Sequence, residues 1–257
     1  MKRLLIILIQ PLLYLWFIAL ILCFALPVVI FALPFNANTR FKITAPMWVK
    51  FFRIQLKTVF FTNLLIDDRR DDLSKKRTSP EGLYIANHQS FGDIPVLFSR
   101  VLMAPIMKKQ VLYIPVLGLL AYASGAIVVD REDKDSRKKV FEVSKKELTS
   151  NRRQLQYYPE GTRRKDGGFG PKSFEEIKYA LIQVAFEYNV PVYPISIYGT
   201  PEVVNGGLIC PGQKTGIILH EPLHPHEFAE AEVFAKAAWQ KVIDGFFELD
   251  RKINLRN

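Results

Sequence analysis

The chain has 257 residues, 49% of them apolar, and a formal net charge of +10. That is ample for one large domain, or one domain with a small appendage, and it excludes a disordered chain. The two cysteines, Cys23 and Cys210, imply no disulfide framework and stand at no metal-ligand spacing, so a reducing, cytosol-facing setting is expected for the polar part.

The excess charge is concentrated at the amino terminus. Residues 1–66 contain no Asp or Glu but carry Lys2, Arg3, Arg40, Lys42, Lys50, Arg53 and Lys57, seven of the ten excess charges. The remainder is nearly balanced, with 28 basic and 25 acidic residues. Cations interleaved with apolar side chains suit an anionic membrane surface, and no nucleic-acid partner is expected.

Leu4 to Phe35 is almost continuously apolar, with Gln10 its only strongly polar side chain. A helix from Leu4 to Leu26 would rise about 34 Å at roughly 1.5 Å per residue, enough for a hydrocarbon core about 30 Å thick. Pro11, Pro27 and Pro34 each favour a kink or an end, so the run either spans once or bends back as a re-entrant anchor. It is longer than a usual signal-peptide core, and no clear A-x-A site follows. Two basic residues precede it and five follow, which places the rest of the chain on the cytoplasmic side.

Pro46 to Ile66 reads as a second helix. Lys50, Arg53 and Lys57 form one stripe, while Trp48, Phe51, Phe52, Ile54, Leu56, Phe60 and Phe61 fill the other faces. An interfacial helix at headgroup level fits this pattern, and so does a packed helix with three exposed cations. Asp67 to Pro80, dense in both charges, reads as a surface linker. The chain thus divides into anchoring helices (1–66), a charged linker (67–81) and a folded domain (82–257).

Beyond Gly82, short apolar runs alternate with helical patterns. Leu83–Ala86, Ala126–Val129, Leu155–Tyr158, Val192–Tyr198 and Gly216–Leu219 are predicted strands. Asp135–Leu148, Phe174–Glu187 and Glu227–Ile253 are predicted helices. The alternation implies a layered α/β domain.

Four blocks stand out. Asn87-His88-Gln89-Ser90-Phe91-Gly92-Asp93 follows the first strand. On a regular helix, residues five apart point about 140° apart and could not meet. His88 and Asp93 meet if His88 ends the strand and Asp93 opens the next helix, with Ser90 as an N-cap between them. Asp93 would then bond one imidazole nitrogen and leave the other as a proton acceptor. A structural histidine with a capping aspartate fits the same spacing. In Tyr158-Pro159-Glu160-Gly161-Thr162-Arg163-Arg164, the arginines can grip a phosphate, Gly161 admits close backbone approach and Thr162 adds a donor. Glu160 can hold a cation or a substrate hydroxyl, and a charged surface turn is the plain alternative. The stretch from Met107 to Gly118 places Lys109 ahead of an apolar run broken by Pro115 and Gly118; Lys109 is as readily a solvated charge as a phosphate ligand. Val190-Pro191-Val192-Tyr193-Pro194 enters a strand between prolines. His220, His224 and His226 read as surface or loop residues.

In this order and spacing, from about Leu83 to Ile197, the blocks resemble the lysophosphatidic acid acyltransferases (1-acyl-sn-glycerol-3-phosphate acyltransferases) of the glycerolipid acyltransferase superfamily. The resemblance implies a mixed sheet flanked by helices, preceded by a membrane-associated two-helix segment. It puts His88 and Asp93 on the H-x-x-x-x-D catalytic pair. Glu160, Gly161, Thr162 and Arg163 fall on the E-G-T-R block tied to the glycerol-phosphate acceptor, and Lys109, Leu112, Pro115 and Gly118 on K-x-x-L-x-x-x-P-x-x-G. Val190, Pro191 and Pro194 fall on V-P-x-x-P, and the Val129-Asp130-Arg131 turn has a counterpart that adds Arg131 to the phosphate contacts. The implied reaction moves an acyl group from acyl-CoA or acyl-carrier protein to the sn-2 hydroxyl of 1-acyl-sn-glycerol 3-phosphate, giving phosphatidic acid at a membrane. It needs no cofactor and no metal. Ser173 stands where the family commonly has glycine, which leaves other acceptors open: glycerol 3-phosphate, another lysophospholipid or an amino-acid lipid. A metal-dependent hydrolase built on His88, Asp93 and Glu160, and a non-catalytic membrane module, are the readings from other classes.

Overall fold

The computed structural model describes residues 2–71, 80–113, 118, 121–122, 125–130, 134–150, 153–163, 169–205 and 207–255. The amino-terminal apolar run is helical from end to end: α1 (Lys2–Leu20), a π turn over Ile21–Ala25, and α2 (Leu26–Ala32). Pro27 has no N–H to give to the helix ladder, and the π turn just before it, with Leu26 N–H bonded to Ile21 O, absorbs the defect without breaking the rod. Leu4–Ala32 is long and apolar enough to cross a bilayer by length and composition.

One face of this rod is packed on protein. Ile21, Ala25 and Val29 bury against Met47, Trp48 and Phe51, and Leu13 joins the core of the sheet domain. Gln10 is accounted for by the same packing. Its side-chain amide donates to Ile209 O (2.7 Å) and accepts from Ile209 N (3.0 Å), while Tyr14 hydroxyl donates to Gly207 O (2.6 Å). The opposite face leaves Leu4, Leu5, Leu8, Leu12, Leu15 and Ile18 exposed.

The second helix, α3, runs Ala37–Thr58, capped by the Asn36 side chain on Thr39 N–H. It starts and stops earlier than the pattern predicts. Lys50, Arg53 and Lys57 are exposed as one stripe, but Trp48 and Phe51 are buried under the first rod. The helix is thus packed on one side and presents its three cations on the other. The residues after it, Asn63–Asp68, are strand β1. The boundary drawn at residues 66–67 therefore falls inside a strand of the domain's own sheet, because a six-residue run ending in two aspartates resembles a helix end followed by a charged linker.

The remaining strands of the main sheet are β2 (Gly82–Ala86), β3 (Ala104–Lys108), β4 (Ile127–Val129), β5 (Gln154–Tyr157), β6 (Val192–Tyr198) and β9 (Lys214–Leu219); β7 (Val204–Asn205) and β8 (Leu208–Ile209) form a separate hairpin. The main sheet has the order β1-β9-β6-β2-β5-β3-β4. Its pairs are parallel except β6 with β9, so β9 and β1 run against the other five. Central β2 is buried on both faces, as a covered parallel sheet requires. Leu83 and Ile85 face one core with Leu155, Ile182, Trp239 and Val242; Tyr84 and Ala86 face the other with Val96, Leu97, Ile195 and Ile197. The first core is roofed by α5 (Lys134–Thr149), α6 (Ala180–Glu187), α8 (Ala231–Asn254) and the first half of α3 (Phe41, Ala45), the second by the end of α3 (Leu56) and α4 (Asp93–Phe98); a one-turn helix, α7 (Thr200–Val203), leads into β7.

The helix predicted over Phe174–Glu187 is split. Ser173 and Glu176 form a capping box around a 3₁₀ turn at Phe174–Glu176, Ile177 turns extended, and α6 begins at Ala180. His220 is buried rather than at the surface. It directly follows β9, and Gly245 of α8 makes room for it: a Cβ there would meet Ser196 Oγ at 2.3 Å and His220 Nε2 at 2.5 Å.

Candidate active site

In a parallel sheet, the loops after neighbouring strands gather at the carboxyl edge, which is where open α/β folds take their ligands. Here the order β6-β2-β5-β3-β4 sets Thr200 (after β6), His88 (after β2), the Tyr158–Arg163 turn (after β5), Lys109 (after β3) and Asp130 (after β4) in one row. Strands lie about 4.8 Å apart, so His88 and Lys109 sit two strand spacings, on the order of 10 Å, from each other.

His88 and Asp93 meet. The imidazole Nδ1 lies 2.7 Å from Asp93 Oδ2, the carboxylate is fully buried and the imidazole keeps about a fifth of its surface exposed (21%). Asp93 is the first residue of α4, as the spacing required. The turn is tied by the same carboxylate: Oδ2 also accepts from Gln89 N (2.8 Å) and Ser90 N (3.0 Å), and Oδ1 accepts from the Thr200 hydroxyl. Ser90 is not the N-cap. Its hydroxyl accepts from Gly92 N at 2.9 Å, a local side-chain turn that delivers Gly92 to the cap position. Gly92 is needed there, since a Cβ would meet Thr200 O at 2.9 Å.

A carboxylate surrounded by donors acts only as an acceptor, so the hydrogen between it and the ring belongs to Nδ1. In the neutral imidazole Nε2 then carries the lone pair. Asn87 steadies the loop from behind. It is buried, and its amide makes a two-bond pair with the backbone of Ile197 on β6, at 2.8 Å in each direction.

Glu160 lies beside His88 but turns inward. It is buried and accepts the His88 backbone N–H at 2.8 Å. Burial pushes its carboxyl above the usual range, against the opposing pull of that N–H, of His88 and of Lys172. Gly161 adopts the left-handed conformation (φ +69°) that releases the following residues outward, and Thr162 and Arg163 are exposed. Lys109 is exposed and ion-pairs with Asp130 at 3.3 Å. Arg131 and Arg164 lie outside the described residues. Leu112 is described, whereas Pro115 of the same block is not; Gly118 packs on Leu112. Among the described residues, no three His, Cys, Asp or Glu side chains converge to hold a metal ion.

The chain is similar to known proteins in sequence and in fold. The family profile described as Acyltransferase matches residues 69–198, a span that contains all four blocks. The chain belongs to the acyltransferase family. A chloroplastic 1-acyl-sn-glycerol-3-phosphate acyltransferase of Brassica napus is 29% identical over 170 residues, 63% of this chain and 45% of that protein. The 1-acyl-sn-glycerol-3-phosphate acyltransferase of Salmonella typhimurium is 26% identical over 151 residues, 58% of each chain. The chain therefore spans about half the length of the curated relatives it matches. The crystal structure of the 1-acyl-sn-glycerophosphate acyltransferase PlsC from Thermotoga maritima superposes with a TM-score of 0.74 at 25% identity, over 97% of this chain and 98% of that one. The acyltransferase resemblance read from the ordered motif blocks is thereby matched by relatives in sequence and in fold.

Thr200 and Tyr158 join the candidate site; Tyr158 heads the second block but has no role assigned to it there, and Thr200 belongs to no block. Thr200 reaches Asp93 from 107 positions away in sequence. Tyr158 closes a predicted strand, yet its ring stacks on His88 with centroids 4.1 Å apart.

Proposed function

We propose that this acyltransferase moves an acyl group from a thioester carrier, acyl-CoA or acyl-carrier protein, to the sn-2 hydroxyl of 1-acyl-sn-glycerol 3-phosphate. The observation that carries this reading is the His88–Asp93 contact at a strand end, with Nε2 left as the free ring nitrogen. In the proposed step, Nε2 takes the hydroxyl proton as the oxygen attacks the thioester carbonyl. A C–O bond forms, the C–S bond breaks, and the thiolate recovers the proton from the imidazolium. Asp93, held by two backbone N–H groups and Thr200, stabilises that imidazolium without moving.

Arg163, Thr162 and Lys109 are the proposed contacts for the acceptor phosphate, and the family resemblance adds Arg131 to them. An Arg fork on a phosphate fixes both position and angle, and holding the hydroxyl in line this way supplies part of the rate. Glu160 contributes by fixing the His88 backbone. The proposed setting is a cytoplasmic membrane surface, supported by the exposed apolar face of α1 and the exposed cations of α3. The test is a panel of acceptors with one labelled acyl donor: lysophosphatidate, glycerol 3-phosphate, other lysophospholipids and an amino-acid lipid. The reading expects labelled phosphatidate as the main product. Exclusive labelling of an acceptor that lacks phosphate would remove the assigned role of Arg163.

A further inference from the structure

The imidazole of His88 is held at more points than its partnership with Asp93. Asp93 takes Nδ1, Glu160 takes the backbone N–H, and Tyr158 covers one face of the ring with its plane 14° from parallel. A single hydrogen bond at Nδ1 leaves the imidazole free to rock about that bond. A flat contact on its face removes this freedom and points Nε2 along the remaining open edge.

Tyr158 is itself rigidly placed. It directly follows β5 and opens a turn in which Gly161 N–H bonds back to Tyr158 O (2.9 Å), with Pro159 next and Lys178 N–H on Pro159 O (2.8 Å). Pro at the second position and Gly at the fourth suit such a turn. The Tyr158 hydroxyl is buried and meets no hydrogen-bond partner among the described residues. Burial, with Asp93 and Glu160 nearby, also raises its pKa well above the ordinary tyrosine value, so it stays a neutral phenol. The contact with the site is therefore made by the ring face and not by the hydroxyl.

We propose that Tyr158 is a positioning residue for the acyl-transfer step: its ring face sets the plane of the His88 imidazole and stabilises the imidazolium that forms there. The inference rests on His88 acting as the base. The negative face of an aromatic ring attracts a cation close above it, and it does so more strongly once the ring nitrogen has taken the proton. The stabilisation grows toward the transition state, so it belongs to turnover and not to acceptor binding.

The experiment compares kcat and the acceptor KM of the purified full chain with Tyr158→Phe, Tyr158→Leu and His88→Ala. Loss of the ring in Tyr158→Leu lowers kcat about tenfold while KM stays within about twofold, and Tyr158→Phe, which keeps the ring, restores most of the turnover. If the leucine variant does not fold, Tyr158→Met replaces it, since a flexible thioether fills irregular space. Wild-type kcat in the ring-deleted variant, equal damage from Phe and Leu, or a change confined to KM would each overturn the proposal. His88→Ala separates the two levels. An active His88→Ala removes the base itself, whereas an inactive His88→Ala beside an undamaged Tyr158→Leu removes only the role of the ring.

Discussion

The two ends of the active-site row are built differently. At the His88 end, the proposed base is held by a fully buried carboxylate, a buried glutamate and an aromatic face, and a threonine at the start of α7 holds the carboxylate in turn. At the other end, Thr162, Arg163 and Lys109 are exposed, and Lys109 ion-pairs with Asp130. The difference suits the proposed division of labour. A group that must accept a proton along one direction gains from a fixed frame made before the substrate arrives. Cations that meet a lipid headgroup at a water interface stay hydrated until the phosphate replaces that water, and burying them unpaired would cost several kcal/mol.

That contrast can be broken at either end. The largest effect is expected at Asp93. Asp93→Asn keeps the size and most of the hydrogen bonds but removes the charge opposite the imidazolium, so kcat falls about 10²–10⁴-fold with little change in KM. Steady-state kinetics decide it; a rise in KM alone would assign Asp93 to binding. Arg163→Ala should behave in the opposite way. Its acceptor KM rises about 10–100-fold, the equivalent of one charge-assisted contact, and kcat changes less. The penalty should vanish with an acceptor that has no phosphate, and a penalty that persists would place Arg163 elsewhere in the reaction. Thr200→Val removes one of the bonds on Asp93 at the far side of the dyad. The expected loss is about tenfold in kcat, with a readily measured drop in melting temperature, because Asp93 Oδ1 is left buried without its partner.

The smallest effect concerns stability and lies away from the row. His220 is buried, which pushes its imidazole down to about 4 from 6.5, and its Nε2 donates to Ser196 Oγ at 2.8 Å while that hydroxyl donates to Val242 O. Between pH 6.5 and 4 the unfolded chain takes up a proton on this residue and the folded chain does not. Stability therefore falls as pH falls through that window, by up to about 3 kcal/mol at its lower end. Urea midpoints measured from pH 7 to pH 4 check this, and His220→Gln should flatten the slope. An unchanged slope in the variant would mean that other groups dominate acid unfolding.

Much of this arrangement was legible in the residues, and its gaps have physical causes. Strands β2, β4, β5, β6 and β9 were marked by apolar runs and turn residues. Strand β3 was not, because Pro105 lies inside it, and proline ordinarily argues against a strand interior. Strand β1 ends in Asp67 and Asp68, whose charges are met by Arg69, Arg70 and Lys252 only after folding. The His88–Asp93 contact could be inferred because both residues sit in one turn. Thr200 could not, since its partner lies in a distant segment and no local pattern records a tertiary hydrogen bond. Gln10 looked like an isolated polar residue in an apolar helix, and only the β7–β8 hairpin beside it explains its place. The inward turn of Glu160 was equally hidden, because a buried acceptor for a backbone N–H and a substrate ligand call for the same residue type.

The central claim is that His88 Nε2 is the base. Its most direct test is turnover by purified His88→Ala with lysophosphatidate and acyl-CoA, beside the wild-type chain at equal folded concentration. The account predicts a loss of at least about 10²-fold in kcat with acceptor binding preserved. Wild-type turnover from the alanine variant would contradict it.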